Sequence, residues 1–104
     1  MQTKILPPNP SAYSYPLLIK NLLITPLIYS PDQKIVYRDL QEFTYRQFGK
    51  RICQLAHGLT RLGVKAGDTV AVMDWDSHRY LECYFAVPMI GAILHTVNVR
   101  LSSD

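Results

Sequence analysis

The sequence predicts an α/β protein with its elements in the order helix, β-hairpin, helix, strand, helix and strand. Apolar residues recur at helical spacing over 45–62, and residues 69–73 form an uninterrupted apolar strand. A further helical stretch and a second strand at 92–97 follow. Strands that are apolar on both faces are typical of parallel sheets covered by helices, so we expect one α/β layer.

The length of 104 residues allows one compact unit, because single domains cluster at roughly 100–150 residues. An apolar fraction of 48% excludes a wholly disordered or collagen-like chain. Most enzymes that need two substrates and a lid are longer, so the length suggests a piece of a larger protein.

The charge is mildly basic, with 11 Lys and Arg residues against 8 Asp and Glu residues. The basic residues are scattered and form no run of five or more, whereas nucleic-acid-binding proteins concentrate them in a patch. We therefore expect no nucleic-acid partner. A nucleic-acid binder would have to show salt-dependent retention on DNA.

Cysteine usage and hydropathy indicate a cytoplasmic protein. Cys53 and Cys83 are thirty residues apart and form no CxxC motif, which favours a reducing compartment. The most apolar early stretch, Leu17–Ile28, has twelve residues and contains Lys20 and Pro26, whereas a membrane span needs about 20 apolar residues. We expect no transmembrane segment.

The N-terminal region is predicted to be a flexible leader followed by a short helix. Residues 1–14 contain three prolines and little periodicity, which is typical of a leader. Pro16 suits a first helical turn and Pro26 suits a helix end, so we expect a helix over 16–25. A turn at Pro31–Asp32 follows.

A β-hairpin comes next. Lys34–Arg38 is β-branched and aromatic, which predicts a strand. Asp39–Gln41 predicts a turn, and Glu42–Phe43 a short returning strand.

The strongest local signal predicts a helix over 45–62. Thr44 and Gln47 fit a capping box, and Phe43 and Phe48 stand where a hydrophobic staple would pair. Gly63 is placed for a left-handed C-cap. One face is apolar: Tyr45, Phe48, Ile52, Leu55, Ala56, Leu59 and Leu62. The opposite face is polar or basic: Arg46, Lys50, Gln54, His57 and Arg61.

The second half predicts a strand–helix–strand unit. Asp74, Asp76 and Ser77 supply N-cap chemistry for a helix from His78 to Ile90. Its last half, residues 84–90, is apolar all round and is expected to be buried. Pro88 is expected to kink or shorten this helix.

The residues that carry chemistry form no recognisable catalytic set. None of the five glycines forms a GxGxxG motif or a P-loop, and Gly63–Gly67 precedes a strand, so we interpret it as a turn. Asp74, Asp76 and His78 alternate where a strand ends, which would suit a metal or acid–base site if they converged. Helix capping explains both aspartates without such a site.

Three other residues allow weaker interpretations. Cys53 and His57, four apart on one helix, could share a zinc ion, but the second ligand pair of a zinc site is missing. His95, in an apolar strand, is interpreted as a hydrogen-bonded core residue rather than a catalyst. We therefore predict no metal site, and composition and spacing alone name no reaction.

Five phrases resemble the N-terminal part of AMP-forming acyl-CoA synthetases. The earlier ones match the wider adenylate-forming superfamily, and the later ones are most similar to medium- and long-chain fatty-acyl-CoA ligases, which carry an HRxLExYFAVPxxGAxLHTxNxRL phrase. They are Phe43–Tyr45, Leu55–Leu59, Leu62–Val72, Ser77–Pro88 and Gly91–Leu101. Val99 departs from the superfamily, which usually has proline there. The resemblance implies that residues 15–104 form part of the large N-terminal domain of such an enzyme.

The resemblance implies a reaction and its cofactors. Family members use ATP and Mg²⁺ to convert a carboxylic acid to an acyl-adenylate with release of pyrophosphate, and then transfer the acyl group to coenzyme A. The family's Ser/Thr/Gly-rich phosphate loop and its catalytic lysine come downstream of these phrases. No catalytic residue can therefore be assigned in this chain, which we expect to be an inactive scaffold when alone.

The resemblance also implies partners: the remainder of the ligase and, as a further option, a second copy. His95, Thr96 and Asn98, at the end of the last strand, are the positions where contacts to a site or a subunit are expected. Residues 101–104 are interpreted as the N-cap of a helix. The alternative is a free-standing α/β interaction module without catalysis.

Overall fold

The computed structural model describes residues 5–100, and it confirms the α/β fold class and the predicted order of elements. The bounds are 3₁₀ Ile19–Leu23, α1 Ile24–Tyr29, β1 Lys34–Tyr37, β2 Gln41–Thr44, α2 Tyr45–Arg61, β3 Thr69–Val72, α3 His78–Met89 and β4 Ile93–Thr96. A 3₁₀ helix leads into α1. The strands β1 and β2 come before the long helix α2, and β3 and β4 come before and after the helix α3. The helix cap expected at 101–104 lies outside the described residues.

The first helical region differs from the prediction of a helix over 16–25. The chain is extended at Leu18, begins a 3₁₀ helix at Ile19 and becomes α-helical from Ile24 to Tyr29. Pro26 lies in the first turn of α1 rather than at a helix end. A proline is tolerated there because the N–H groups of a first turn have no partner within the helix.

Residues 5–18 form no helix or strand, and their side chains are exposed. The flexibility expected of the leader at 1–14 stays a prediction.

The hairpin forms as predicted. β1 and β2 pair antiparallel, with Ile35 opposite Phe43 and Lys34 opposite Thr44. The Lys34 ammonium lies 2.6 Å from the Glu42 carboxylate across the two strands. This pair is exposed, so it adds little to stability.

Helix α2 has the ends that the sequence predicts. The Thr44 hydroxyl accepts from the Gln47 backbone N–H at 3.1 Å, and the Gln47 side chain accepts from the Thr44 N–H at 2.9 Å. At the other end, Gly63 adopts φ 97°, and the Val64 N–H donates to the Leu59 carbonyl at 3.1 Å. Capping box and left-handed C-cap are both confirmed.

The core lies between α2 and α3. Phe48 and Ile52 of α2 pack with Ala86 of α3, each at most 1% exposed, and Leu23 closes the cluster from the 3₁₀ helix. The Phe48 and Phe85 rings meet edge to face with centroids 6.0 Å apart. Leu62, predicted on this apolar face, is instead 83% exposed because it follows the last turn of α2.

Strands β3 and β4 pair in parallel around α3, as the strand–helix–strand order predicts. Val70 lies opposite Leu94 and Ala71 opposite His95. The loops before the two strands are joined as well, because the Gly67 N–H donates to the Gly91 carbonyl at 2.8 Å.

The prediction that β3 is covered on both faces is wrong for the described residues. Val70 and Val72 are half-buried, whereas Ala71 between them is exposed. Met73 and Ile93 are 65% and 56% exposed. Helix α3 contacts the strands and α2 packs on the other side of α3, so one sheet face is left bare.

The C-terminal half of α3 is also less buried than predicted. Ala86 and Val87 are fully buried, but Tyr84 is 44% and Met89 38% exposed. The whole chain exposes 8598 Å² of surface. A compact monomer of 11.9 kDa exposes about 6,000 Å², and both the exposed residues 5–18 and the bare sheet face contribute to the difference.

Candidate functional site

A polar cavity of about 280 Å³ lies where β3 and β4 end. Ligands of α/β proteins bind at the carboxyl ends of parallel strands, which makes this cavity the candidate site. Its walls come from the loop after β3, from α3 and from the loop after β4. The lining residues are Asp74, Trp75, Asp76, Tyr80, Tyr84, Thr96, Val97, Asn98, Val99 and Arg100.

Asp74 organises the loop after β3. Its carboxylate accepts from the Ser77 hydroxyl at 2.8 Å and from the Trp75 backbone N–H at 2.8 Å. The Arg79 guanidinium donates to both carboxylate oxygens, at 3.1 and 3.4 Å. Ser77 in turn accepts from the Tyr80 N–H at 3.2 Å and caps α3.

These contacts hold Asp74 ionised. The Ser77 hydroxyl, followed by the Trp75 N–H and the Arg79 guanidinium, lowers the pKa of the Asp74 carboxyl below its ordinary value, although partial burial opposes this. Because its oxygens already accept these hydrogen bonds, Asp74 serves to fix the loop and the start of α3. It is poorly suited to act as a general acid.

Two stacked tyrosines form the wall on α3. Tyr80 and Tyr84, one helical turn apart, have ring centroids 5.3 Å apart. The Tyr80 hydroxyl donates to the Val72 carbonyl at 3.3 Å and so ties the helix to β3. The exposed ring of Trp75 stands at the rim.

The three positions singled out at the end of β4 separate into two groups. Thr96 and Asn98 line the cavity, and the Asn98 side-chain oxygen accepts from the Arg100 N–H at 2.9 Å. His95 is exposed and does not line it. The interpretation of His95 as a core residue is wrong, because it lies opposite Ala71 on the bare face of the sheet.

Asp74, Asp76 and His78 do not converge. The aspartates line the cavity, whereas the His78 ring is buried between the hairpin rings of Tyr37 and Phe43, at centroid distances of 5.3 and 5.1 Å. His78 Nδ1 has no hydrogen-bond partner among the described residues. Phe43 lies against the His78 ring, and its expected staple contact with Phe48 stays a prediction.

No group of three His, Cys, Asp or Glu side chains within residues 5–100 could hold a metal ion. Cys53 and His57 are both exposed on α2. Cys83 is half-buried, and burial raises the pKa of its thiol, with a smaller contribution from the Glu82 charge. A thiol kept protonated in this way is a weak nucleophile.

The sequence reasoning missed the aromatic wall and Arg100. The i, i+4 spacing of Tyr80 and Tyr84 could have revealed the stacked pair, because such residues share a helix face. Chemically, the cavity offers aromatic faces, hydroxyl and amide groups, the carboxylates of Asp74 and Asp76 and one guanidinium. These groups can bind a polar or aromatic group, but they include no nucleophile paired with a base.

Comparison with known proteins gives a consistent picture. The profile of the AMP-binding enzyme family matches residues 29–104. The chain is 47% identical over 64 residues to a long-chain-fatty-acid–CoA ligase of Thermus thermophilus, and 40% identical over 73 residues to a peroxisomal trans-cinnamate:CoA ligase of Petunia hybrida. These alignments cover 62% and 70% of the chain, but only 12% and 13% of the relatives.

A solved structure has the same fold. The crystal structure described as a long-chain-fatty-acid CoA ligase from Rhodopseudomonas palustris superposes with a TM-score of 0.71 and 34% identity, over 83% of this chain and 22% of that chain. The chain thus spans about an eighth of the length of the curated relatives. None of the helices between residues 5 and 100 combines the length and the hydropathy that a membrane-spanning helix needs.

Proposed function

Because this chain belongs to the AMP-binding enzyme family, we propose that it forms the N-terminal wall of the large domain of an AMP-forming fatty-acyl-CoA ligase. In that enzyme a fatty acid, ATP and coenzyme A would give acyl-CoA, AMP and pyrophosphate. The observation that carries the proposal is the alignment at 47% identity with a long-chain-fatty-acid ligase, of which the chain spans 12%. We propose a fatty acid rather than an aromatic acid as the substrate because the trans-cinnamate ligase is less similar to this chain, at 40% identity.

The cofactors would be held elsewhere in that enzyme. ATP needs a phosphate-binding loop, and the sequence contains no GxGxxG motif and no P-loop. Mg²⁺ prefers carboxylate oxygens, and residues 5–100 bring no three potential ligands together. The residues present do not fit either group, so no step of the reaction is assigned to them.

The role proposed for this chain is therefore scaffolding. Helix α3 is held by α2 on one side and by β3 and β4 on the other. The bare sheet face and the excess exposed surface support contacts with the remainder of a ligase. Thr96 and Asn98 lie at the strand ends where they could support a site formed with that remainder.

We also propose that the protein is located in the cytoplasm. Both cysteines are free, and Cys53 is exposed, which suits a reducing compartment. The location of a tagged chain under the microscope tests this.

The activity test is ATP–pyrophosphate exchange with a fatty acid. The 104-residue chain should give no exchange above a protein-free control, whereas a longer natural reading frame that contains it should. Measurable exchange by the chain alone would refute the scaffolding role. A frame that continues into a Ser/Thr/Gly-rich loop would support the ligase.

The alternative is a free-standing interaction module. The observation that favours it is the closed core of α2 and α3, with caps at both helix starts. A stop codon directly after Asp104, together with a monodisperse monomer that binds no hydrophobic dye, would favour the module over the ligase wall.

A further inference from the structure

A buried histidine joins the hairpin to α3. His78 is the first residue of α3 and is 8% exposed. Its ring lies between those of Tyr37 on β1 and Phe43 on β2. These two side chains share a hairpin face with Ile35, which packs against the core formed by α2 and α3. The hairpin therefore docks on the helices through this face, with the His78 ring inserted in the contact.

The buried side of the imidazole has no polar partner. Within residues 5–100, Nδ1 of His78 is the only buried side-chain nitrogen or oxygen that makes no hydrogen bond. A neutral imidazole can leave this nitrogen as a bare acceptor, whereas an imidazolium carries an N–H on both nitrogens and needs an acceptor for each. Because Nδ1 is buried among the described residues, a group from elsewhere in a longer protein cannot reach it while the hairpin stays docked.

The charges near the ring do not favour an imidazolium. Three guanidinium groups lie 4.4 to 6.0 Å from the centroids of the two hairpin rings: those of Arg51, Arg79 and Arg38. The attraction of the aromatic rings for a cation is therefore shared among several cations. The carboxylates of Glu82 and Asp74 already accept from Arg51 and Arg79. The N-terminus of α3 adds a partial positive charge of its own.

The other charged side chains of the hairpin point away from His78. Lys34 and Glu42 alternate with the residues of the docked face, so they lie on the outer face, where they pair with each other. Asp39 is exposed in the turn between the strands. No carboxylate of the hairpin strands is thus placed to accept from Nδ1.

We propose that His78 makes the docking of the hairpin on α3 depend on pH, with the neutral imidazole holding the hairpin and the imidazolium releasing it. Once the hairpin separates from α3, water can solvate both ring nitrogens, so the released state accommodates the proton that the docked state does not. Histidine is the side chain whose ordinary titration falls between pH 5 and 8, and release is expected as the pH falls through this range. The proposal does not depend on the proposed ligase activity.

Hydrogen exchange of the 104-residue chain, followed by mass spectrometry at about pH 7.5 and about pH 5.5, tests the proposal. After correction for the intrinsic exchange rate, the protection of residues 34–44 should fall severalfold at the lower pH. The ceiling is about tenfold, which a free imidazole that titrates near pH 6.5 sets over this range. Protection of α2 should change less than that of the hairpin.

Two variants assign the effect to one histidine. His78→Phe fills the space between the two rings with a side chain that cannot titrate, so it should keep the protection of the hairpin at both pH values. The matched control, His57→Gln with His95→Gln, removes two exposed histidines and should retain the full loss in acid. In the unmodified chain, nuclear Overhauser contacts of the His78 ring with Tyr37 and Phe43 should weaken over the same pH range.

The proposal is overturned if residues 34–44 are equally protected at both pH values, or if His78→Phe loses protection in acid as the unmodified chain does. It is also overturned if the control pair abolishes the loss. Equal losses in α2 and the hairpin would overturn it as well, because they would indicate unfolding of the whole chain. If His78→Phe does not fold, the unmodified chain decides: ring contacts of His78 that persist unchanged in acid overturn the proposal.

Discussion

Arg51 on α2 and Glu82 on α3 form an ion pair that joins the two central helices across the core. The Arg51 guanidinium donates to the Glu82 carboxylate, and the residues are 31 positions apart in the chain. Glu82 is 5% exposed, whereas the Arg51 side chain is 38% exposed and lies over the Phe43 ring at 4.4 Å. The arginine therefore neutralises a carboxylate that water barely reaches, and it connects both helices to the hairpin.

Because Glu82 is more buried than Arg51, substitutions of the two residues should lower the free energy of unfolding by different amounts. Arg51→Met leaves the buried Glu82 charge without a partner and should lower the free energy of unfolding by about 3 kcal/mol. Glu82→Gln should cost less, because water can solvate the exposed side of Arg51. The double variant Arg51→Met with Glu82→Gln should lose less stability than the two single losses added together. Urea denaturation of the four proteins measures the coupling, and additive losses would contradict it.

The capping box of α2 should contribute measurably to stability. Thr44→Ala removes the acceptor of the Gln47 N–H and should cost about 1 kcal/mol, while Thr44→Ser keeps the hydroxyl and should be close to neutral. The midpoint of denaturant unfolding gives both values. Equal stabilities of the Ala and Ser variants would show that the cap does not act in solution.

Asp74 should make stability depend on pH in acid. Its pKa is lowered in the folded protein, first by the Ser77 hydroxyl, so the folded state favours the ionised carboxylate. The resulting stability is present above the unfolded pKa of about 4 and is lost as pH falls through the lower folded pKa. Asp74→Asn should remove this part of the acid dependence, whereas Asp76→Asn should retain it. Thermal melting at several pH values below about 5 is the measurement.

The two left-handed glycines that end α2 and α3 should respond differently to alanine. Gly63 has φ 97° and open space where a Cβ would lie, so Gly63→Ala should cost only the backbone strain of about 1–2 kcal/mol. Gly91 has φ 77°, and its Cβ would lie 3.1 Å from the Ala66 Cβ. Gly91→Ala should therefore cost more than Gly63→Ala. Equal losses of stability in the two variants, measured by calorimetry, would mean that the loop at Ala66 moves to accommodate the added Cβ.

The elements that the sequence predicted well are those built from local contacts. The hairpin, α2 and both parallel strands depend on turn residues, caps and periodicity within a few positions. The first helix was misplaced because Pro26 suits a first turn as well as a helix end, and in the folded chain it lies in the first turn of α1. Thr96 and Asn98 lie at or just after the end of β4, and their role in a site or a subunit contact stays a prediction. His95 was assigned to the core on apolar neighbours alone.

Residue order alone was enough to establish the α/β class, the capped helix α2, the parallel pairing of β3 with β4 and, through five phrases, the enzyme family. The helix and its caps depend on backbone preferences and short-range patterns, and the parallel pairing follows from the rule that two strands joined by a crossover helix pair in parallel. Packing of the folded chain settled which face of the sheet is bare, that Glu82 is buried beside Arg51, and that Tyr80 and Tyr84 line a cavity with Asn98. Each of these results from contacts between side chains that are far apart in the chain, and the hydrophobic periodicity of the sequence does not specify such contacts.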